Sequence, residues 1–298
     1  MPDFGIFRGF NEKLFGDKLV AGQLPTQLGL IGSEVVPVLL LDVYPNSAAA
    51  YSLRKLSSTY TGDAIQVRVN TTGQPTYDIG FVDGELDTTT LEGYCTGGLD
   101  AFVTTWYDQS GNGYDATQTT ASAQPQIVSS GSVILNNGKP SIQFGVSVQT
   151  QLISTSFSQS PPIRAFVNMQ FNSGSNQGFA FDGLSVNQFR IYNANSTKLT
   201  FYAGGGEPAY NDLTGVLNKN YLVDVLADTT NSRFQINNNS ATNASGATTT
   251  KTGIRLGANS IDFGLFRGFI TEYIEYNSTQ NSNADAIKSN INDFYLIY

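Results

Sequence analysis

The chain has 298 residues, of which 40% are hydrophobic, so it can bury a sizeable core. Charged residues make up only 13%, well below the usual share, and the net charge is −8. Such a surface repels a phosphate backbone, which disfavours nucleic acid as a partner. With no His and one Cys, the chain excludes Ser-His and Cys-His mechanisms, His-ligated metals, thiolate zinc clusters and internal disulfides. We expect no metal and no cofactor.

Residues 1–33 differ from the rest of the chain, because they are rich in aromatic residues and repeatedly interrupted by glycine or proline. Gly22, Pro25, Gly29 and Gly32 disfavour any regular element there. An apolar, irregular segment of this kind does not easily fold alone. It packs back on its own chain or, as we favour, anchors the protein in a neighbouring subunit. The side chains expected to form the anchor are Phe4, Phe7, Phe10, Leu14 and Phe15.

The sequence predicts neither export nor membrane insertion. The first ten residues lack a cationic stretch followed by a long apolar run, as a signal peptide would have. The longest apolar run, Val35–Leu41, contains Pro37 and is far shorter than the ~20 residues of a membrane helix. The composition, rich in Ser, Thr, Asn and Gly, is nevertheless typical of surfaces outside a cell. A virion protein, made in the host cytoplasm and released by lysis, reconciles the two observations.

From about Val43 the pattern becomes regular, which predicts an arm and linker over 1–42 and one domain over 43–298. Asn46–Leu56 is predicted as a helix, because Asn46 or Ser47 can cap it and Ala49, Leu53 and Leu56 share a face.

Two further helical segments are predicted. Asp87 can cap a turn of helix over Thr88–Tyr94. Near the C-terminus, Ser282 is a good helix cap and Asp285 follows three residues later. The apolar residues of this last helix, which we expect to dock on the remaining structure, are Ile287, Ile291, Phe294 and Tyr295.

Many short segments rich in β-branched and aromatic residues, separated by Gly, Asn, Ser and Pro, predict an all-β sandwich or barrel. The predicted strands are Ile65–Val69, Tyr77–Phe81, Ala101–Tyr107, Gln126–Val128, Val133–Leu135, Ser141–Phe144, Ile163–Phe171, Gly178–Phe181, Gln188–Tyr192, Lys198–Tyr202, Tyr221–Ala227, Arg233–Ile236, Gly253–Leu256 and Leu265–Tyr276.

The most distinctive segment is Thr105–Ala116, where a strand that ends in aromatic residues enters a turn rich in Asp, Ser, Asn and Gly. One interpretation makes Trp106 and Tyr107 a platform for stacking sugars and Asp108 an acid or a calcium ligand. The interpretation we favour is a tight turn in which Asp108 bonds its own backbone and Trp106 is buried. Cys95 is similarly interpreted as a small buried hydrophobe and not as a reactive thiol.

Several segments in this order resemble the catalytic domain of α-L-arabinofuranosidase B, a concanavalin-like β-sandwich, and the related laminin-G-like domains of bacteriophage structural proteins. The resemblance is strongest over 46–144, and the C-terminal part is closer to the phage proteins. The segments that carry it are Ala50–Leu56, Tyr60–Gly62, Gln66–Arg68, Asp78–Phe81, the region of Cys95, Trp106–Gly113, Asn137–Pro140 and Glu275–Tyr295. The resemblance implies a concanavalin-like, jelly-roll sandwich with an irregular N-terminal arm and a short C-terminal helix.

The resemblance also implies where catalytic residues would lie. The nucleophile of the family belongs to an Asp-x-Glu segment, whereas the stretch 202–214 of this chain contains only Glu207 and Asp212, in a different spacing. Ala258 stands where the family has its acid/base Asp. The paired cysteines expected near Phe179–Phe181 are absent, and Cys95 has lost its disulfide partner. These departures predict that the fold is kept and that the chain is not an enzyme.

Three functions fit the sequence. The first is a virion structural protein, in a capsid decoration, head fibre, tail or baseplate, which displays a non-catalytic lectin-like sandwich and contacts other virion proteins through its arm. The second is a carbohydrate-binding module that attaches to host surface glycans. The third is a divergent glycosidase. A homo-oligomer is expected because the exposed apolar arm needs a partner surface.

Overall fold

The structure is a computed structural model of the chain. The residues that it describes are 28–31, 34–145, 148–172, 178–185, 188–195, 198–204, 209–212, 217–229, 231–244, 246–259 and 266–298. For 28–31, 34–37, 194–195 and 209–212 the description is limited to the backbone. The side chains expected to form the N-terminal anchor, from Phe4 to Phe15, lie outside the described residues.

The chain divides into two units, 1–39 and 40–298. In the first unit, β1 (Leu28–Ile31) pairs antiparallel with β2 (Glu34–Pro37). The expectation that glycines exclude a regular element from this segment is therefore wrong at residues 28–31. Gly29 pairs within the hairpin, and the hairpin places Pro37 at the end of its strand, where a missing N–H is tolerated.

The second unit contains short helices and a large antiparallel β-structure. In the described part of this unit the helices are α1 (Leu40–Val43), α2 (Thr88–Tyr94) and α3 (Ala284–Tyr295), and a 3-10 turn lies at Ala121–Ala123. The strands of its first half are β3 (Ser47–Ser52), β4 (Ile65–Val69), β5 (Thr76–Ile79), β6 (Phe81–Val82), β7 (Glu85–Leu86), β8 (Ala101–Trp106), β9 (Ala116–Thr117), β10 (Gln126–Ser129), β11 (Ser132–Val133), β12 (Leu135–Asn136), β13 (Lys139–Pro140) and β14 (Ile142–Phe144).

The strands of its second half include the longest ones in the described part of the chain. They are β15 (Leu152–Ser154), β16 (Ser158–Gln159), β17 (Ile163–Phe171), β18 (Gly178–Asp182), β19 (Arg190–Asn195), β20 (Lys198–Tyr202), β21 (Ala209–Asp212), β22 (Asn220–Ala227), β23 (Arg233–Ile236), β24 (Thr242–Asn243), β25 (Lys251–Thr252), β26 (Arg255–Leu256) and β27 (Gly268–Tyr276). The all-β fold predicted from the sequence is confirmed.

Two sheets face each other across one core. The first sheet runs β24-β23-β22-β17-β27-β3, with β14 paired to the beginning of β27. The second sheet runs β9-β15-β26-β18-β19-β20-β21. Aromatic rings of the two inner faces contact each other. The ring centroids of Phe181, in the second sheet, and Tyr273, in the first, are 5.2 Å apart, and those of Phe201, in the second, and Phe234, in the first, are 6.2 Å apart. Strand β8 links the sheets, because it pairs with β9 of the second sheet and with β10. Strand β10 in turn pairs with β14 of the first sheet.

The helix predicted over Asn46–Leu56 is wrong, because residues 47–52 form strand β3 beside β27. Ala49 and Tyr51 face the core between the sheets, whereas Ala50 faces a second apolar cluster on the outer side. A strand that is buried on both faces loses the alternation of apolar and polar residues by which strands are recognised. Its small residues therefore have the spacing of a helix, and the pairing with a distant strand decides the outcome.

The other two helix predictions are confirmed. Asp87 caps α2 by accepting a hydrogen bond from Thr90 N at 2.9 Å. Helix α3 begins at Ala284, but its cap was wrongly assigned to Ser282: Asn283 precedes the helix and makes no side-chain capping bond. Asp285 instead forms an ion pair with Lys288, at 2.9 Å.

Helix α3 covers the outer face of the first sheet, as its apolar stripe predicts. The buried residues of this second cluster come from α1, the first sheet, the segment after β3 and α3; they are Leu40, Leu41, Ala50, Leu56, Phe166, Leu222, Ile274, Tyr276, Ala284, Ile287, Ile291 and Tyr295. The first sheet is thus buried on both faces. None of the helices in the described part of the chain has the length and apolarity of a membrane-spanning segment.

We expect Ile287→Ala to lower the free energy of unfolding by about 2–5 kcal/mol, because Ile287 is completely buried between α3 and the first sheet. Ser289→Ala, on the exposed side of the same helix, is the control and changes stability by less than about 0.5 kcal/mol. Urea unfolding followed by tryptophan fluorescence measures both. Equal stabilities of the two variants would mean that the helix does not contribute to the folded unit.

Candidate functional site

The turn after β8 is held by one carboxylate. Oδ1 of Asp108 accepts hydrogen bonds from Ala50 N and Ser110 N, both at 2.9 Å. Its Oδ2 accepts from Ser110 Oγ at 2.7 Å and from Tyr114 N at 3.0 Å. Both oxygens are therefore engaged by the fold, which confirms the tight turn that the sequence predicts.

Trp106 and Tyr107 point away from each other. Trp106 is 0% exposed and packs against Tyr51 with ring centroids 5.9 Å apart, so no sugar can reach it in this conformation. Its Nε1 has no hydrogen-bond partner among the residues described. The Tyr107 hydroxyl donates to Asp78 at 2.6 Å, and partial burial together with this carboxylate raises the pKa of Tyr107. Trp106 therefore offers no stacking face for the sugar platform, and the hydroxyl of Tyr107 is already engaged by Asp78.

A groove of about 460 Å³ lies beside this turn, and Ser, Thr, Asn and Gln residues line much of it. Its amides serve the fold. Gln109 Nε2 donates to the carbonyls of Ser52 and Arg54, and its Oε1 accepts from Leu56 N. Asn112 likewise donates to backbone carbonyls of β3. The two amides of Gln109 and Asn112 are thus engaged by the fold and are not free to orient a ligand.

We expect Asp108→Ala to lower the free energy of unfolding by about 3 kcal/mol, since three backbone N–H groups lose their acceptor. Asp108→Asn keeps one carbonyl oxygen and should cost roughly half as much. Thermal or urea unfolding of both variants measures the difference. If Asn and Ala are equally destabilising, the carboxylate is not what holds the turn.

A second cluster of polar groups lies between the sheets and is completely buried. Lys251 Nζ is 2.7 Å from both carboxylate oxygens of Glu275, and Tyr273 donates its hydroxyl to the same carboxylate. Burial lowers the pKa of Lys251, and Glu275 opposes that shift; burial and Glu275 raise the pKa of Tyr273. Lys251 is 1% exposed and Glu275 is 0% exposed, so this cluster is structural in the present conformation.

A third cluster, on the outer face of the second sheet, combines aromatic rings with a cation and is partly exposed. The Arg190 guanidinium carbon lies 5.2 Å from the centroid of Phe179, 5.4 Å from that of Tyr192 and 5.0 Å from that of Tyr202. Phe179 and Tyr192 also contact each other, at 5.0 Å. Phe179 is buried, whereas Arg190, Tyr192 and Tyr202 are half-buried. We call these four residues the Arg190 face.

The strand register explains this arrangement. Ile191 of β19 lies opposite Phe201 of β20, and both belong to the core between the sheets. Because alternate residues of a strand point to opposite faces, Arg190 and Tyr192 point outward, as does Tyr202 opposite Arg190. Phe179 joins them from β18, opposite Tyr192.

None of the residues singled out from the sequence belongs to the Arg190 face except Phe179, which marked the position of the missing cysteines. The three strands that form it were predicted, over Gly178–Phe181, Gln188–Tyr192 and Lys198–Tyr202. Their alternation, with Ile191 and Phe201 inward and charged or tyrosine residues outward, was a usable signal. Sequence reasoning missed the face because only the pairing of β18, β19 and β20 brings its members together.

Some of the positions to which the sequence resemblance assigns catalytic residues lie in the described part of the structure. Ala258 is completely buried just after β26. Asp212 lies in β21, for which the backbone alone is described, and Glu207 lies outside the described residues. Within the described ranges, no three Asp, Glu or Cys side chains converge as ligands for a metal ion. Cys95 is free and completely buried, and burial raises the pKa of its thiol, which confirms its interpretation as a buried hydrophobe.

Comparison with known proteins finds solved structures that are similar to this chain. An arabinofuranosidase complexed with arabinofuranosyl-α-1,2-xylobiose has a TM-score of 0.61 and 16% identity, over 82% of this chain and 62% of that one. A GH54 α-L-arabinofuranosidase soaked with a cyclic sulfate inhibitor has a TM-score of 0.60 and 15% identity, over the same shares of 82% and 62%. A Trypanosoma rangeli sialidase in complex with sialic acid has a TM-score of 0.42 and 13% identity, over 62% of this chain and 32% of that one. No family model and no curated protein matches the sequence.

The chain spans 62% of the length of these two arabinofuranosidases. At 15–16% identity the likeness establishes the fold, a concanavalin-like β-sandwich like theirs, and confirms that part of the sequence resemblance. The prediction that the chain is not an enzyme is corrected by the same finding, because glycosidases are among the structures most similar to it. Identity this low does not establish catalysis.

Proposed function

We propose that the protein binds glycans through the Arg190 face, as a structural component of a virus particle. One observation carries the binding part: three aromatic rings surround one guanidinium on a partly exposed sheet face. Aromatic rings pack against the apolar C–H surface of a sugar, and a few convergent polar groups fix its orientation. The likeness in fold to arabinofuranosidases supports a saccharide as the class of ligand, whereas the place of the site is argued from the rings and the cation alone.

The virion part is supported by the sequence. The composition is typical of an extracellular surface, and the sequence resembles phage structural proteins of the laminin-G-like type. In this proposal the N-terminal arm holds the protein, as a homo-oligomer, to other proteins of a capsid decoration, head fibre, tail or baseplate. The sandwich then displays the Arg190 face toward glycans of the host surface.

We expect the full chain to bind members of a glycan array that contains neutral and acidic saccharides, and Tyr202→Ala to weaken that binding about tenfold. The reason is the loss of one stacking ring, worth roughly 1–1.5 kcal/mol. Tyr94→Ala is the matched control. Tyr94 lies on α2, is 39% exposed and stacks on Tyr77, so it is an exposed stacked tyrosine that does not belong to the Arg190 face.

Isothermal titration with the strongest array ligand measures both variants, and analysis of the recovered saccharide shows whether it is bound intact or cleaved. Absence of binding to every array member, or an equal loss in the Tyr94→Ala control, would contradict a glycan site at the Arg190 face.

The anchoring part has its own test. We expect a chain lacking residues 2–33 to remain folded, because 40–298 forms a separate unit, and to be missing from purified particles. Circular dichroism and quantitative mass spectrometry of the particles measure the two properties. A full-length variant with Phe4, Phe7 and Phe10 changed to Ser tests the same contact without truncation. Incorporation at the normal copy number would exclude the arm as the anchor, and failure of the truncated chain to fold would assign the arm to the sandwich.

A further inference from the structure

The Arg190 guanidinium is held by ring stacking. Contacts at 5.0–5.4 Å from three ring centroids occupy the surroundings of its plane. Its Nε is buried and has no hydrogen-bond acceptor among the residues that the structure describes. Because Nε is enclosed, a ligand that approaches this partly exposed side chain meets the outer donors of the guanidinium, on Nη1 and Nη2. The donors at the edge of a guanidinium fit the two oxygens of one carboxylate.

The strand register distinguishes Arg190 from the other cations of this sheet. Arg255 of β26 lies opposite Asp182 of β18, and Lys198 of β20 lies opposite Asp212 of β21, so each has an acidic residue as its cross-strand neighbour. The cross-strand neighbour of Arg190 on β20 is Tyr202. On its β20 side, therefore, Arg190 has a ring opposite it, whereas Arg255 and Lys198 each have an acidic residue opposite them.

The net charge of the chain adds a second argument. At −8 the protein repels acidic ligands in general, so an acidic ligand needs a local cation to be held. A neutral sugar has no need of a guanidinium stacked among three rings, since hydroxyl and amide groups suffice to orient it. The combination of stacking rings with an arginine fits a sugar that carries a carboxylate.

We propose that the Arg190 face recognises acidic saccharides, with Arg190 binding the carboxylate of a uronic or sialic acid residue and Tyr192 and Tyr202 contacting the sugar ring. This inference rests on the proposed glycan-binding function and names the class of its ligand. It assigns the specificity for acid to one residue, Arg190.

The test compares oligogalacturonate with its methyl ester, which has the same sugars but no carboxylate charge, together with sialyllactose and lactose as a second acid and neutral pair. We expect the full chain to bind one acidic member at least about tenfold more tightly than its neutral counterpart at low salt. The preference should shrink as salt is raised, because the contact is partly exposed. Titration calorimetry measures each affinity.

Two substitutions locate the effect. Arg190→Met removes the cation and should abolish the preference, whereas Arg190→Lys keeps the charge without the planar fork and should retain only part of it. Arg233→Gln is the control for net charge, because Arg233 lies on the first sheet and donates to Asn281. If Arg190→Met does not fold, the Arg190→Lys variant and the salt dependence decide.

The outcomes separate the two proposals. Equal binding of acidic and neutral members, lost in Tyr202→Ala, would overturn the acidic ligand and leave the glycan-binding function in place. A preference for acid that Arg233→Gln reduces as much as Arg190→Met would also overturn the role of Arg190. No binding to either pair or to any array member would overturn the function itself.

Discussion

Two buried carboxylates on strand β27, pointing to opposite faces of the first sheet, hold the structure together. Glu272, on the outer face, receives both arms of the Arg54 guanidinium, at 2.8 and 2.9 Å. Glu275, on the inner face, accepts hydrogen bonds from Lys251 of β25. A buried carboxylate without a partner costs several kcal/mol, so each of these contacts must form when β27 is enclosed. Glu272 thereby connects β27 to helix α3, because it also accepts a hydrogen bond from the Tyr295 hydroxyl. Glu275 connects the inner face of β27 to β25.

The strand that carries Lys251 is followed by β26, which pairs with β18 in the second sheet. Lys251 lies in β25, four residues before Arg255, so the ion pair with Glu275 lies close in sequence to strand β26 of the second sheet. Leu256 and Phe181 lie opposite each other and point inward. A register shift between Phe179 and Phe181 places Phe179 on the other face, opposite Tyr192, and alternation along β19 sends Arg190 and Tyr192 to the same outer face. The Arg190 face thus depends on the register of β18 against β19.

This dependence on register explains what could be predicted from the sequence. Strands with one polar face, such as β4 and β23, show their alternation and were found within one or two residues. Strand β3 was taken for a helix because both of its faces are buried, so Ala49 and Ala50 look alike in sequence although they enter different cores. The site was missed for a related reason. Trp106 lies in the most distinctive sequence segment, yet it is buried in the core. The sequence around Arg190 has no such motif, and its aromatic neighbours come together only when β18, β19 and β20 are paired.

The likeness to arabinofuranosidases has the same physical limit. A fold survives at 15–16% identity because inward positions need only apolar volume of about the right size. Outward positions are under no such constraint, so the side chains on the outer face of the second sheet carry no information from the likeness. The arginine among rings beside Phe179 is observed in this chain, and the likeness assigns it no role. The chemistry of a ligand must therefore be argued from the Arg190 face itself. The net negative charge of the protein repels anions, and the stacked guanidinium of Arg190 supplies a local positive charge that can bind one.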